Sequence, residues 1–584
     1  MDHDRFQFSP DLQLPVLKDS RGLQWWVLIL PFLAIVFLFG CYALVNGDIW
    51  WHLKTGELIL ANLQIPIENL FTYTNPKSPW IDLHWGFQCF VALIYNQFGA
   101  FGLIFTKSVF GLLTFLLLLL TSRNSLPSWL TLLCWSPFLV IFSARYHVRP
   151  EMFSLLFVSL TLWVLHYSTS RPALLWLLVP TQIAWVNVQG LFVLQHLLVG
   201  AFLLQQLVML VYDRRHALLL RRLLLVFILS IMASFINPYG LQGALFPLEL
   251  MGKMSGELRV FFQSLAGETS GIAEFIDRYG LLALTKNSTT LTLFGTAFVV
   301  VISQFTSSIL RRTIDIYHWS LIVGFAYLAW QMNRNSNLFA LVYGYLLCSN
   351  LANILQFYRL SNKSAAHERS SCTTPRPALP KLLLPFVRLA AFFIIVGVLS
   401  MTINDALNHR EQTPGQRPRR TYFIEEHPWY NHNAAQFIAD IPAPLNVYVR
   451  HRGTGFAGVV IYHSFDELGE HGKRVYADAR LETNSVEVLR AFEAIPKLIE
   501  QNISAAEALL ADEYGNLPLL VFGNAELLRR PNLLQALISS KRWQCIYVSQ
   551  FTDQSRDLGV SMFMTATTRD SIGLPRVSVE PLVR

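Results

Sequence analysis

The sequence predicts an α-helical polytopic membrane protein that carries a small α/β domain after its last span. Three observations lead there. The 584 residues are 53% hydrophobic and only 14% charged, far from the balance of a soluble domain. Apolar windows of about 20 residues, the length that crosses a bilayer, recur from Trp25 to Ile403, and about eleven can be marked off by that rule. After residue 404 the pattern changes to short β-rich runs alternating with amphipathic helices.

Residues 1–22 form a polar tail. The first apolar run is long and no small-residue cleavage site follows it, so it reads as a retained anchor rather than a signal peptide. The membrane region spans 23–403 and has two long connections, 46–100 and 237–288. In the first, "WWHLKTGELILANL" has apolar residues at helical spacing and "WGFQCFVALIYNQF" is amphipathic and aromatic. Both are expected to lie along the membrane surface. Between them "PIENLFTYTNPKSPWIDLHW" reads as turns that hold Asp82 and His84. Residues 359–381, rich in Ser, Pro, Lys and Arg, read as a flexible linker. In 404–584, "LNVYVRHR", "KRVYADAR", "LPLLVFG", "WQCIYVSQ" and "VSMFMTAT" predict strands, and "VEVLRAFEAIPKLIEQN" and "AELLRRPNLLQALISSK" predict helices.

Basic residues gather in every second connection: Arg123; Arg171; Arg214, Arg215, Arg221 and Arg222; Arg311 and Arg312; then Arg359, Lys363, Arg369, Arg376 and Lys381. Cytoplasmic loops are the ones that collect Lys and Arg. The expectation is a multi-pass inner (plasma) membrane protein with a cytoplasmic N-terminus and an extracytoplasmic C-terminal domain. The net charge of +8 is spread over these loops and calls for no nucleic acid. The six cysteines are scattered, without zinc-finger or redox spacing.

The outward connections hold the unusual residues: Asp48, His52, Asp82 and His84; Arg145, His147, Arg149 and Glu151 in "ARYHVRPE"; Asn187 in "WVNVQG"; Asn237 in "INPYG"; Glu274; and Arg334 in "MNRNSN". Singly, each is accounted for by helix capping, interfacial tryptophans or ordinary turns. Together they concentrate acids, histidines, arginines and amides on one side, flush with helix ends. An ionisable group near hydrocarbon costs about 2.5 to 3.5 kcal/mol at the helix centre, so such residues line polar cavities. Lys107 and Arg388, inside apolar runs, are expected to snorkel. "GTGFAG", Gly453 to Gly458, with Asp478 beyond it, superficially matches a dinucleotide fingerprint. "VVIYHSF" after it reads as a strand, which makes a glycine turn between strands the better account. His427, His432, His463 and His471 show no metal-ligand spacing.

The stretches "GDIWWHLKTGELI", "PWIDLHW", "RYHVRPEMFS", "WVNVQGLF", "FINPYG" and "NRNSNLFALV", with "GKRVYADAR" near the end, resemble a bacterial branch of the GT-C superfamily. These are multispanning glycosyltransferases that take sugars from polyprenyl-phosphate carriers on the outer side of a membrane. The resemblance covers most of residues 25–356. It implies a GT-C-like architecture, a lipid-linked sugar donor on undecaprenyl or dolichyl phosphate, and a glycan, lipid or protein acceptor among membrane lipids. In that superfamily an acidic residue just after the first span acts as general base or holds a divalent cation. Asp48 occupies that position, with Asp82 a second acid in the same loop. The chain departs from the pattern: its first loop has no Asp-Glu pair, and it lacks a Trp-Trp-Asp-Tyr-Gly motif and a clear Asp-x-Asp metal motif, which leaves a Mg or Mn requirement open.

Elementary chemistry suits these positions. Moving a sugar from a lipid phosphate to a hydroxyl needs a carboxylate to accept the proton and positive charge at the departing phosphate. The arginine fork fits a phosphate, which nominates Arg145, Arg149 and Arg334. His52, His84 and His147 are candidates for proton shuttling or phosphate binding, with Asn187, Asn237 and Glu274 in support. Two other readings stand beside this one. An envelope polysaccharide polymerase or ligase would use a lipid-diphosphate donor, and a non-enzymatic transporter or assembly protein would show internal repeats.

Overall fold

The structure, a computed structural model, describes residues 22–253, 271–273, 276, 288–368, 426, 428–442, 444–451, 453–466, 469, 471–480, 482–549 and 559–579. Most of the polar tail, Glu274, Arg388, His427, residues 369–381 of the linker and the last apolar run before residue 404 lie outside these; residues 359–368, expected in the flexible linker, are helical and continue the helix that starts at Ser336. The chain divides into two compact units. One contains α1 and residues 104–247 with the later apolar helices; the other joins Ala43–Leu103 to the C-terminal residues.

The first unit is a helical bundle. Its helices include α1 (Gly22–Gly40), and α2 (Asp48–Asn62) follows in the chain but belongs to the second unit. Then come α3 (Trp85–Ser122), α4 (Ser128–Ser143), α5 (Glu151–Ser168), α6 (Leu178–Val186), α7 (Val193–Tyr212), α8 (Ala217–Ala233), α9 (Gly240–Lys253), α10 (Ser288–Arg311), α11 (Ile316–Gln331) and α12 (Ser336–Glu368). Among the described residues six helices are long and apolar enough to cross a membrane: Trp85–Ser122, Glu151–Ser168, Gly190–Tyr212, Arg214–Ala233, Thr289–Arg311 and Asn333–Leu360. Trp25–Gly40, Ser128–Ser143 and Pro172–Val186 are apolar and shorter.

Large apolar side chains face outward on these helices, among them Phe298, Ile309 and Val323, as lipid-facing surfaces do. Polar side chains point inward and tie helix to helix. Gln182 donates to Ser234 Oγ at 3.0 Å and Gln195 to the Leu178 carbonyl at 2.9 Å. Asn350 donates to Ser303 Oγ at 3.0 Å. Gly344 of α12 leaves the space that the Trp135 ring of α4 fills. The chain is thus an integral membrane protein of α-helical polytopic class.

Gly99 interrupts α3 at φ 59°, ψ −156°, a backbone region open to glycine. The division between the units follows it, after Leu103.

The second unit is built on four strands, β1 (Val447–Arg450), β2 (Leu519–Gly523), β3 (Trp543–Val548) and β4 (Val560–Thr565), in the order β1-β2-β4-β3. β1 and β2 run parallel, whereas β4 is antiparallel to both β2 and β3. β2 and β4 are buried along their whole length, which is why they read as unbroken apolar runs. "KRVYADAR" contributes only a bridge: Val475 pairs with Val447 on one side and with Thr72 of the first long connection on the other. Val475 N donates to the Phe71 carbonyl at 2.8 Å and Tyr73 N to the Val475 carbonyl at 3.1 Å. The connection thereby continues the sheet beyond β1.

Three further expectations change. α2 buries ten of its 15 residues; it is an internal helix of this unit and not one lying on a membrane surface. "VVIYHSF" belongs to a helix, Gly455–Ser464, not a strand. Phe456 to Ile461 are all buried, so no polar alternation betrays the helical period. "AELLRRPNLLQALISSK" forms two helices, Asn524–Arg529 and Pro531–Ser539, because the residue before a proline is pushed out of the helical region and Arg530 sits at φ −127°, ψ 71°.

Candidate active site

In the second unit, α2 opens with Asp48 in its first turn, where a carboxylate faces the positive end of the helix dipole. Asp48 is half-buried, and its amide lies 3.4 Å from Asn46 Oδ1. His52 stands one turn further on the same helix face and is 4% exposed. Its ring is 3.6 Å, centroid to centroid, from that of Trp51 and 5.7 Å from that of His84, and its Nδ1 is 3.4 Å from Gln88 Nε2.

Asp82 is 0% exposed. The His84 amide donates to its Oδ1 at 3.0 Å, a short turn that closes the chain just before α3 begins at Trp85. Burial pushes the Asp82 carboxyl up to about 7, against the opposing pull of the His84 amide, Gln88 and Arg480. Burial likewise pushes His84 down to about 4. Asp82, His84, His52 and Gln88 therefore form one cluster.

Two glycines set how α2 sits. A Cβ on Gly47 would lie 2.6 Å from the Gly455 carbonyl oxygen and 2.9 Å from the Trp429 ring; one on Gly56 would fall on the Gln88 carbonyl. Conversely, a Cβ on Gly458 would meet the Gly47 carbonyl oxygen at 2.7 Å. "GTGFAG" does sit where a strand passes into a helix, contrary to the sequence expectation. Its helical glycines are nevertheless spent on receiving the α2 turn, not on approaching a phosphate.

In the first unit, Arg145, His147 and Arg149 lie on the connection between α4 and α5, with Glu151 in the first turn of α5. All four are half-buried. Asn337, at the start of α12, approaches the Arg145 carbonyl at 3.4 Å, which brings the Arg334 turn to the same place. Tyr42 reaches the connection from the end of α1: its hydroxyl donates to the Tyr146 carbonyl and lies 3.1 Å from His147 Nδ1.

Lys107, expected to snorkel, does not. It is 1% exposed, with Nζ donating to the Tyr42 carbonyl at 3.3 Å and standing 3.6 Å from the centroid of the Tyr42 ring. Tyr146 in turn donates to the Lys107 carbonyl at 2.6 Å. The inward pull is the cation–π contact and the carbonyl.

Asn187 and Asn237 are turn residues of this unit. Asn187 donates to the Ile183 and Ile236 carbonyls, both at 2.8 Å. Asn237 donates to Ser234 and Gly240 and accepts from the Tyr239 amide at 2.9 Å. Sequence reasoning missed Gln88, Tyr42, Arg480 and the confinement of Lys107. Only Lys107 carried a sequence signal, as a lone charge inside a span.

Among the described residues no three His, Cys, Asp or Glu side chains group so as to hold a metal.

The fold has counterparts among solved structures. Among solved structures it is similar to the archaeal oligosaccharyltransferase AglB from Archaeoglobus fulgidus, in complex with an inhibitory peptide and a dolichol-phosphate, with TM-score 0.52 and 13% identity over 94% of this chain and 75% of that one. The oligosaccharyltransferase of the same organism in the apo form gives 0.51, 13%, 94% and 75%. ArnT from Cupriavidus metallidurans bound to undecaprenyl phosphate gives 0.45, 12%, 93% and 98%. No family model matches the sequence, and no curated protein does.

Proposed function

We propose that this chain is a membrane glycosyltransferase that moves a sugar from a polyprenyl-phosphate donor to an acceptor at the outer face of the membrane. The observation that carries the reading is Asp48: a half-buried carboxylate in the first turn of α2, within a chain whose fold is shared with AglB, a protein solved with a dolichol-phosphate. Asp48 is half-buried, whereas Asp82 is fully buried.

In this reading Asp48 takes the proton of the acceptor hydroxyl as that oxygen bonds to the anomeric carbon. The bond from the anomeric carbon to the phosphate oxygen breaks, with inversion, and the lipid phosphate leaves with the electron pair. Arg145, Arg149 and Arg334 neutralise the charge that grows on it. Asp82 positions the His84 turn and does not react. The N-terminus is cytoplasmic and the C-terminal residues are extracytoplasmic.

The test is transfer of label from a panel of polyprenyl-phosphate hexoses and pentoses in membranes of the source cell lacking its own copy, supplied with wild type or Asp48→Asn. Transfer by wild type and loss of about a hundredfold or more in the variant are expected. Full activity of Asp48→Asn would sink the assignment, and transfer from a lipid-diphosphate oligosaccharide alone would replace it with the polymerase or ligase reading.

A further inference from the structure

Arg480 is heavily tied within the second unit. It is 1% exposed. Its amide donates to Asp478 Oδ1 and its Nε to Asp478 Oδ2, both at 2.9 Å, and a terminal nitrogen approaches Oδ2 at 2.5 Å. That same nitrogen donates to Asn69 Oδ1 at 2.7 Å. Asn69 in turn donates to Thr72 Oγ1 at 2.5 Å and to the Asn75 carbonyl at 3.0 Å, fixing the turn that enters the sheet. The guanidinium lies 4.4 Å from the Trp80 ring centroid, 4.9 Å from that of Phe71 and 5.8 Å from that of Trp51. Trp80 shares a turn with Asp82, and Trp51 follows Asp48 in the first turns of α2.

Stability alone does not call for such a residue. A buried ion pair is often matched or bettered by apolar groups of similar volume, and the surroundings here are tryptophan and phenylalanine. What an arginine adds is direction: a planar fork that fixes Asp478 and Asn69 in one plane while its face orders three rings. Neighbouring bonds act the same way. Thr74 donates to the Tyr476 carbonyl at 2.5 Å and Asn75 to the Thr483 carbonyl at 2.9 Å.

We infer that Arg480 is a positioning residue of the transfer reaction: through Asn69, Trp80 and Trp51 it fixes the turns that carry Asp48 and Asp82 against the sheet. This rests on the reading of Asp48 as the base. The segment "RVYADAR" is thus part of the catalytic apparatus without touching substrate, and no acceptor-binding role is needed to account for it.

The test uses the full-length protein as wild type, Arg480→Lys and the double variant Thr74→Val/Asn75→Ala, which loosens the same turn without disturbing a buried charge. Two readouts are taken: donor kinetics in the membranes described above, and backbone hydrogen exchange in detergent. Both variants should lose about tenfold to a hundredfold in kcat while KM for the donor moves within about twofold. Exchange should rise in residues 48–56 and 69–82 while β2 and β4 keep their protection. Wild-type kcat in the double variant, or a raised KM with kcat intact, would overturn the inference. If Arg480→Lys loses protection everywhere, the double variant decides. If the wild type transfers no sugar, the proposed function falls, while the exchange pattern still reports whether Arg480 holds α2.

Discussion

The His84 amide donates to Asp82 Oδ1 at 3.0 Å, and the His84 ring Nδ1 stands 3.7 Å from the same oxygen. Burial drives the two groups in opposite directions, Asp82 up to about 7 and His84 down to about 4. Between those values the folded protein holds a protonated acid beside a neutral imidazole, so the pair carries no charge where a lone acid and a lone histidine would both be ionised.

A stability profile follows with a definite sign. Asp82 ionises near 3.8 when unfolded and about 7 when folded, so its contribution is full below 3.8 and is lost as the pH climbs to about 7. His84 has the opposite slope: its contribution is present above 6.5 and is lost as the pH falls towards 4. Wild type should therefore be nearly level between pH 4 and 6.5 on their account. Asp82→Asn keeps an acceptor for the His84 amide but removes the first slope. Its thermal midpoint in detergent should rise from pH 4 to 6.5, and at pH 8 it should exceed wild type by an amount on the order of a few kcal/mol in stability. A variant profile parallel to wild type would contradict the assignment of these shifts to Asp82.

The approach of α2 to helix Gly455–Ser464 leaves no room for a methyl group. At Gly47 the obstructing atoms are a backbone oxygen at 2.6 Å and the Trp429 ring at 2.9 Å, and backbone does not step aside cheaply. Gly47→Ala should cost about 1 to 3 kcal/mol, read as a lower midpoint of thermal unfolding. Gly324→Ala is the comparator: nothing lies within 4 Å of its added methyl, and alanine favours a helix, so its midpoint should hold or rise.

The same contact explains what could and could not be read beforehand. Apolar runs of spanning length and the short apolar runs of β1, β2, β3 and β4 are local signals; among the described residues six helices of spanning length and the four strands answer to them. Helix Gly455–Ser464 was hidden because Phe456 to Ile461 are buried in an unbroken run, which erases the amphipathic period on which a helix reading depends. Asp48 and Asp82 look equivalent as two acids in one connection. Their different burial arises from Gln88, His84 and distant Arg480, and no spacing rule reaches across that separation. Arg480 itself sits in "YADAR", whose polar residues suggest a surface; only the pairing of Val475 with Thr72 makes them interior. Lys107 was visible as a lone charge, and its burial depends on Tyr42 arriving from another helix.

Lys107 and Tyr42 give an asymmetric pair of outcomes. The ammonium is 1% exposed and is met by the Tyr42 carbonyl and ring. Lys107→Met removes a buried charge with little change of volume and should leave the thermal midpoint unchanged or higher. Tyr42→Leu strips the ring from the charge and should cost about 3 to 5 kcal/mol. Restoration of the midpoint in the combined Lys107→Met/Tyr42→Leu variant would show that the cost came from the uncovered ammonium. If Lys107→Met is the more damaging single change, the charge is held by groups other than Tyr42.

For Arg145, Arg149 and Arg334 the transfer chemistry fixes which kinetic constant should respond. In the proposed transfer the donor is a phosphodiester with one negative charge, and the departing lipid phosphate gains a second. An arginine on the leaving oxygen is therefore worth more in the transition state than in the bound donor, and its removal should lower kcat more than it raises KM. Replacement of any of the three by alanine should cost about a hundredfold to a thousandfold in kcat, the scale of one lost oxyanion donor. Replacement by lysine should cost about tenfold, because the charge survives and the fork does not. Asn187→Ala is the comparator. Its amide is taken up by the Ile183 and Ile236 carbonyls, so its loss should lower the thermal midpoint and leave kcat within about twofold. Arginine variants that raise donor KM with kcat intact would make these residues ground-state ligands of the phosphate, and variants that change neither would remove them from the site.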